Sequence, residues 1–148
     1  MSSFNKLLCV IACVLITTYS AQAREKYSHL HSDPKGQAVL METKMREYFP
    51  EHAAEAMIAV AECESTGLLH WLPDGSLRPH STHSSSARGV LQILIDLHGP
   101  DIERMGLDMN DIDDYMVFAR HLYDTQGPQN AWKECVVQMP ADILAMLD

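Results

Sequence analysis

The sequence predicts one mainly α-helical domain carrying a small β-hairpin. Three observations support that expectation. Apolar residues recur every three or four positions across 36–49, 50–64 and 111–126, the repeat of a helix with one buried face. Asp74-Gly75 lies between two short runs, Leu69-His70-Trp71-Leu72 and Ser76-Leu77-Arg78, the pattern of a tight hairpin. No internal repeat, linker or low-complexity stretch argues for a second domain.

Residues 1–23 read as a secretory signal peptide. Lys6 charges its start, Leu7 to Ile16 are mostly apolar, and Ala21-Gln22-Ala23 has the small-x-small form of a cleavage site. The apolar run is shorter than the roughly 20 residues that a bilayer demands. The expectation is therefore an exported protein, periplasmic or secreted, with no stable membrane insertion. Val10-Ile11-Ala12-Cys13 offers a lipoprotein-processing alternative, against which apolar residues continue past Cys13. Cleavage leaves 148 − 23 = 125 residues, enough for one domain with a real core. The remaining net charge, (11 − 1) − 20 = −10, argues against nucleic acid as a partner.

Cys9 and Cys13 leave with the signal, so Cys63 and Cys135 remain. Two cysteines in a small exported domain usually pair, and the alternative is two buried free thiols. Two are too few for a metal centre, and His80, His83 and His98 have no ligand spacing, so neither metal nor cofactor is expected.

Arg24 to Lys35 is polar and aperiodic and reads as a flexible N-terminal arm before a domain over 36–148. The first helix, Gly36 to Phe49, carries Ala38, Met41, Met45 and Tyr48 on one stripe. Pro50 ends it and suits the first turn of a second helix, where Ala53, Ala56, Met57, Val60 and Ala61 form the buried stripe. Those small side chains predict a closely packed central helix running into Glu62-Cys63-Glu64. A carboxyl at its C-terminal end meets the negative pole of the helix, which favours the protonated acid.

The hairpin follows, and His80 to Ser86 is a Ser- and His-rich loop. A short helix is expected from Ser86 through Val90, Leu91, Ile93 and Leu94, capped by Ser85 or Ser86 and stopped by Gly99-Pro100. Asp111 to Gln126 places Ile112, Met116, Ala119 and Tyr123 at helical spacing, with acids in the first turn and Gly127 as the cap. Ala141 to Leu147, begun by Pro140, makes a closing helix.

A glycoside is cleaved when a proton reaches the departing oxygen as positive charge builds on the sugar ring. A carboxylic acid still protonated at neutral pH can deliver it. Glu64 is the candidate, although an acid at a helix end is more often an ordinary surface group. Glu62 points roughly 160–200° away around the same helix and cannot share its cleft.

Glu64-Ser65, a polar loop and then Gly89-Val90-Leu91-Gln92-Ile93 resemble the signature of the lytic transglycosylases, lysozyme-like enzymes that cut the glycan strands of peptidoglycan. The resemblance extends to small secreted members in which Cys precedes Glu-Ser and a late helix reads Ala-Arg-x-Leu-Tyr-x-x-x-Gly. Cys63, Ala119-Arg120-His121-Leu122-Tyr123 and Gly127 fit that pattern, with Trp132 and Cys135 closing it. It covers Ala56 to Cys135. An Asn common in the family falls here on Asp114 or Tyr115, and the Ala-Tyr-Asn-Ala-Gly segment of larger members is absent.

The resemblance implies a lysozyme-like α+β fold in which Glu64 is catalytic and Ser65, Gly89, Gln92 and Tyr123 bind substrate. Gly89 would let the backbone approach closely, Val90 and Leu91 pack inward, and the Gln92 amide line the sugar cleft. An exposed helical Gln and a simple turn glycine are the plain alternatives. Tyr123 suits the cleft floor and core packing equally, and Ser65 either orients Glu64 or caps the helix end. Trp71 and Trp132 offer rings for stacking on sugar, Trp132 with a structural alternative three residues before Cys135. A Cys63–Cys135 link would hold the acid in place.

The implied reaction cuts the MurNAc-β-1,4-GlcNAc bond and leaves 1,6-anhydro-MurNAc, because the substrate's own C6 hydroxyl attacks and the same Glu removes its proton. A retaining hydrolase would need a second carboxylate about 5 Å from the acid. Asp74, more simply the hairpin's turn residue, is the only nearby loop candidate. Two other functions stay open: a lysozyme-type muramidase using water held near Asp74, and a catalytically silent peptidoglycan-binding or assembly module. An acidic surface gains nothing from steering toward an anionic wall. Proximity, or an envelope or secretion-apparatus protein partner, would then bring a monomeric enzyme to its glycan strands.

Overall fold

The computed structural model describes residues 25–80 and 86–147. The signal pattern over 1–23 and the loop residues 81–85, His83 and Ser85 among them, lie outside the described residues. The helices are α1 (Pro34–Tyr48), α2 (Ala54–Ser65), α3 (Ile95–Met105), α4 (Ile112–Gln126), α5 (Pro128–Ala131), α6 (Lys133–Val136) and α7 (Ala141–Leu144). Strands β1 (Ala87–Arg88) and β2 (Ile93–Leu94) pair antiparallel between α2 and α3, with Ala87 opposite Leu94 and Arg88 opposite Ile93. The protein is thus mainly helical with a small two-stranded sheet.

Three helices follow the periodicity that predicted them. α1 starts at Pro34, which tolerates the first turn because an N–H there has no helical partner. α2 starts later than expected: Pro50 opens a turn whose carbonyl accepts from the N–H groups of Ala53 and Ala54, and the helix begins at Ala54. Asp111 caps α4 by accepting from the N–H groups of Asp113 and Asp114, and Gly127, with φ 76°, ends it. Met41 and Met45 of α1, Ala56, Met57, Val60 and Ala61 of α2 and Tyr115, Met116 and Ala119 of α4 are fully buried together. α2 packs against α1 on one side and against α6 and α7 on another, a closeness its alanines permit.

The Gly-Val-Leu-Gln-Ile segment corrects the sequence reading. It is not a helix but the turn of the β1–β2 hairpin, closed by a bond from the Gln92 N–H to the Gly89 carbonyl at 3.2 Å. Val90, Leu91 and Ile93 fit a helical stripe, yet a turn that buries adjacent apolar residues satisfies the same pattern. The helix starts beyond it at Ile95 and runs through Gly99-Pro100. Pro100 deprives only the Asp96 carbonyl of a partner, and both residues face solvent. Leu94, not Ser86, is the N-cap of this helix, and the Ser86 hydroxyl instead accepts from the Asp96 N–H at 3.1 Å from across the hairpin.

The expected hairpin around Asp74-Gly75 is reduced to one bridge, Trp71 with Leu77, and a second bridge joins Pro79 to Arg88. Ser76 donates its N–H and hydroxyl to the Asp74 carboxylate, the side-chain turn that Asp favours. The stretch read as an N-terminal arm has local structure of its own. Within it Ser28–Leu30 forms a 3-10 turn, and Tyr27 and His31 pack on Trp71 with ring centroids 6.3 and 5.1 Å away. Gln37, 2% exposed, stitches this region together. Its amide nitrogen donates to the carbonyls of Leu30 and His31, and its oxygen accepts from the N–H groups of His70 and Trp71.

Candidate active site

α2 delivers Glu64 in its last turn, and Cys63 beside it is bonded to Cys135 of α6, as expected, with Cα atoms 5.8 Å apart. The chain then leaves through three left-handed residues, Thr66 (φ 47°), Gly67 (φ 80°) and Leu68 (φ 56°). Glycine adopts that conformation freely, whereas a branched residue is strained there by about 1–3 kcal/mol. Among the described residues the other non-glycine with positive φ is Gln92, at 48°. Thr66 and Gln92 line one pocket with Glu64, Ser65, Arg78, Pro79 and His80, so the strain gathers at the candidate acid. The pocket encloses about 70 Å³.

Glu64 is half-buried and makes no hydrogen bond or ion pair to another described residue. Burial, and after it the negative charge of Glu134, push its carboxyl up from 4.5 to about 7. It can therefore hold a proton at neutral pH and also release one. Ser65 does not bond to it: the hydroxyl turns back and donates to the Ala61 carbonyl at 2.9 Å.

Gln92 faces this acid from the hairpin turn with 9% of its surface exposed. Its amide nitrogen donates to the Gly89 carbonyl at 2.7 Å and lies 3.5 Å from the Arg78 carbonyl, two acceptors that fix which end is nitrogen. The amide oxygen is buried without a partner. An acceptor in that state lowers its energy by meeting an N–H or O–H donor from a ligand.

The turn is held by buried side chains from distant parts of the chain. The Val90 N–H donates to His70 Nδ1 and the Leu91 N–H to the Tyr115 hydroxyl, each at 3.1 Å, while Tyr115 donates onward to the Arg88 carbonyl at 2.8 Å. Trp132 Nε1 donates to the Leu91 carbonyl at 2.9 Å. Gly89, at φ 75°, is required twice over, because a Cβ there would stand 2.7 Å from the Tyr115 ring and 2.8 Å from the His70 ring. His70 is fully buried between the rings of Trp71 and Tyr115, and burial first, then His31, lowers it from 6.5 to about 3. It is therefore neutral at neutral pH, and Nδ1 stays available as an acceptor.

The structure therefore brings Glu64, Ser65 and Gln92 into one pocket and places Gly89 in the turn that supports it. Tyr123 lies elsewhere, edge-on to Phe49 at 5.6 Å and beside Arg120, whose guanidinium donates to the Tyr48 carbonyl. The Ala-Arg-x-Leu-Tyr segment thus clamps the end of α1 to α4. Asp74 lines a separate cavity of about 380 Å³ with Tyr27, Trp71 and Asn110. Its bonds from Ser76 hold the carboxyl below the usual range, and it does not reach the Glu64 pocket. A third cavity of about 450 Å³ lies between Leu77, Arg88 and Met109 and contains neither Glu64 nor Gln92. Trp132 takes the structural alternative, and Trp71, 4% exposed, is walled in by rings.

Sequence reasoning missed Tyr115, His70, Gln37 and Glu134. Tyr115 alone had a signal, as one of two residues standing where the resembled family has Asn. Among the described residues no helix is long and apolar enough to cross a membrane, and no group of three or more His, Cys, Asp or Glu could hold a metal ion. No family model, curated protein or solved structure matches the chain.

Proposed function

We propose that the protein is a lysozyme-like peptidoglycan lytic transglycosylase, exported and acting as a monomer on glycan strands. One observation carries the reading: a half-buried carboxyl with no partner among the described residues, raised to about 7, shares its pocket with Gln92, whose buried amide oxygen is unpaired. The Cys63–Cys135 bond supports export to an oxidising compartment.

Protonated Glu64 gives its proton to the GlcNAc oxygen as the bond from that oxygen to MurNAc C1 breaks. The C6 hydroxyl of the same MurNAc then forms a bond to C1, and its proton passes to the Glu64 carboxylate. The acid is restored, no water is consumed and a 1,6-anhydro ring closes. A carboxyl balanced near neutrality suits both halves of this cycle. Gln92 accepts a hydrogen bond from a hydroxyl or acetamido N–H of the glycan. Asp74, bonded to Ser76 beside another cavity, lends no support to a hydrolase that places water with a second carboxylate.

A second reading is a catalytically silent peptidoglycan-binding or assembly module. The net charge of −9 favours it, because an acidic surface is not steered toward an anionic wall. Digestion of purified peptidoglycan with mass analysis of the products separates the readings. The transglycosylase yields muropeptides one water lighter than hydrolytic ones, and Glu64→Gln yields none. Hydrolytic masses would replace it with a muramidase, and an absence of released muropeptides would leave the silent module.

A further inference from the structure

Away from the Glu64 pocket, the cavity of about 380 Å³ is built from three parts of the chain: the N-terminal stretch, the Asp74-Gly75 turn and the loop before α4. Tyr27, His31 and Trp71 line it with rings that pack on one another, and Asp74, Ser76 and Asn110 line it with polar side chains. Gly75, at φ 81°, lets the N-terminal stretch close against the turn, because a Cβ there would stand 2.8 Å from the His31 ring.

The bonds within the polar side leave it rich in acceptors. Ser76 gives its N–H and its hydroxyl proton to Asp74 Oδ1, at 2.9 and 2.6 Å. Asn110 gives its N–H and its amide nitrogen to Asp108 Oδ1, at 3.0 and 2.9 Å. The Ser76 hydroxyl proton is thereby engaged and the Asn110 nitrogen is turned to Asp108. Asp74 Oδ2 and Asn110 Oδ1 accept from no other described residue. The bonds from Ser76 also keep Asp74 ionised at neutral pH, with no ion pair to it among the described residues. Lys26 does not fill that role: its Nζ lies 4.8 Å from the centre of the Tyr27 ring, and its carboxylate partner is Asp113, at 3.8 Å.

An ionised carboxylate and an amide oxygen beside aromatic rings suit a group that is positively charged, donates several hydrogen bonds and carries an apolar stem. We infer that this cavity binds a primary ammonium group, its N–H donors meeting Asp74 and Asn110 and its methylene stem lying along the rings. Ser76 and Asn110 also line the neighbouring cavity of about 450 Å³, where Leu77, Ile95 and Met109 give apolar surface to the rest of the ligand. Two sources carry that chemistry: the side-chain amine of a diamino acid in an uncross-linked wall peptide, and a free diamine.

The test is a nitrogen-15 NMR titration of the protein, following the Trp71 indole N–H, the Ser76 N–H and the Asn110 side-chain amide. Nα-acetyl-lysine methylamide should shift all three saturably. Its Nε-trimethylated form keeps the charge and loses the donors, and should bind at least about tenfold more weakly, the worth of a charge-assisted hydrogen bond. Its Nε-acetylated form, which is neutral, should not bind. Asp74→Asn keeps an oxygen for Ser76 and removes the charge, so it should weaken binding by about tenfold or more at an unchanged melting temperature. Asn110→Leu should weaken it as well. Absence of saturable shifts, equal binding of the trimethylated or acetylated form, or wild-type affinity in both variants overturns the inference. An uncross-linked muropeptide with a free amine that binds more tightly than 1,5-diaminopentane identifies the wall peptide as the source, and the reverse order identifies the diamine. Both orders keep the ammonium site. The cavity contains neither Glu64 nor Gln92, so a failure to cleave peptidoglycan would sink the functional reading and leave this result standing.

Discussion

Two helix ends in this molecule carry carboxylates, and they are built in opposite ways. At the start of α4 each acid has a partner: Asp111 caps the helix, Asp114 accepts from the Asp108 N–H, and Asp113 accepts from Lys44 and Tyr48. Burial pushes Asp113 up, but those two donors outweigh it and hold the carboxyl below the usual range. At the end of α2 Glu64 has no such partner among the described residues, the backbone beyond it is left-handed, and the facing Gln92 oxygen is unpaired. The first end joins α1 to α4 and is complete. The second carries strain and unmet polar groups, which a ligand would complete.

The comparison can be broken most severely at its tether. Removing the disulfide with Cys63→Ser and Cys135→Ser restores chain freedom over a separation of 72 residues. It should destabilise the protein by about 4 kcal/mol, read as a lowered denaturant midpoint. A loss under about 1 kcal/mol would mean that the α2 end is held by packing alone.

Tyr115→Phe keeps the ring and deletes the hydroxyl that meets the Leu91 N–H and the Arg88 carbonyl. The expected loss is about 1–3 kcal/mol, with faster amide exchange at Leu91 and weaker glycan cleavage. Unchanged exchange at Leu91 would show that Tyr115 does not hold the turn.

The pH dependence of stability separates the two ends by sign. Glu64 binds its proton more tightly folded than unfolded, so its contribution is full below pH 4.5 and is lost as pH rises through about 7. Discounted for partial exposure, Glu64→Gln should therefore stabilise the protein at pH 8 by on the order of 1–2 kcal/mol in thermal melts. Asp113 at the start of α4 has the opposite sign: its carboxyl is held below the ordinary value, so its contribution is present above that value and is lost as pH falls below it. Equal stability of wild type and Glu64→Gln at pH 8 would remove the claim that ionising this acid strains the fold.

The smallest effect belongs to the completed end. Asp111→Ala removes the α4 cap and should destabilise by about 1 kcal/mol while leaving peptidoglycan cleavage unchanged. A loss of cleavage beyond that of stability would give the acidic end a role in function.

How much of this was legible in the sequence depends on how local the signal is. α1, α2 and α4 write their periodicity within a single stretch, and Cys63 and Cys135 were the two cysteines left to pair. Glu64 and Gln92 stood out as short motifs, and the structure sets them in one pocket. The β1–β2 hairpin did not stand out, because its apolar spacing fits a helix and its turn is fixed by partners far along the chain. His70 lies 20 residues from Val90, Tyr115 24 from Leu91 and Trp132 41 from Leu91.

The most direct test of the central claim is infrared difference spectroscopy between wild type and Glu64→Gln, following the protonated carboxyl band of this single acid against pH. A band that persists above pH 6 and disappears with a midpoint near 7 is the predicted result. A midpoint near 4.5, the value of an ordinary glutamate, would contradict the account and make Glu64 a surface acid like any other.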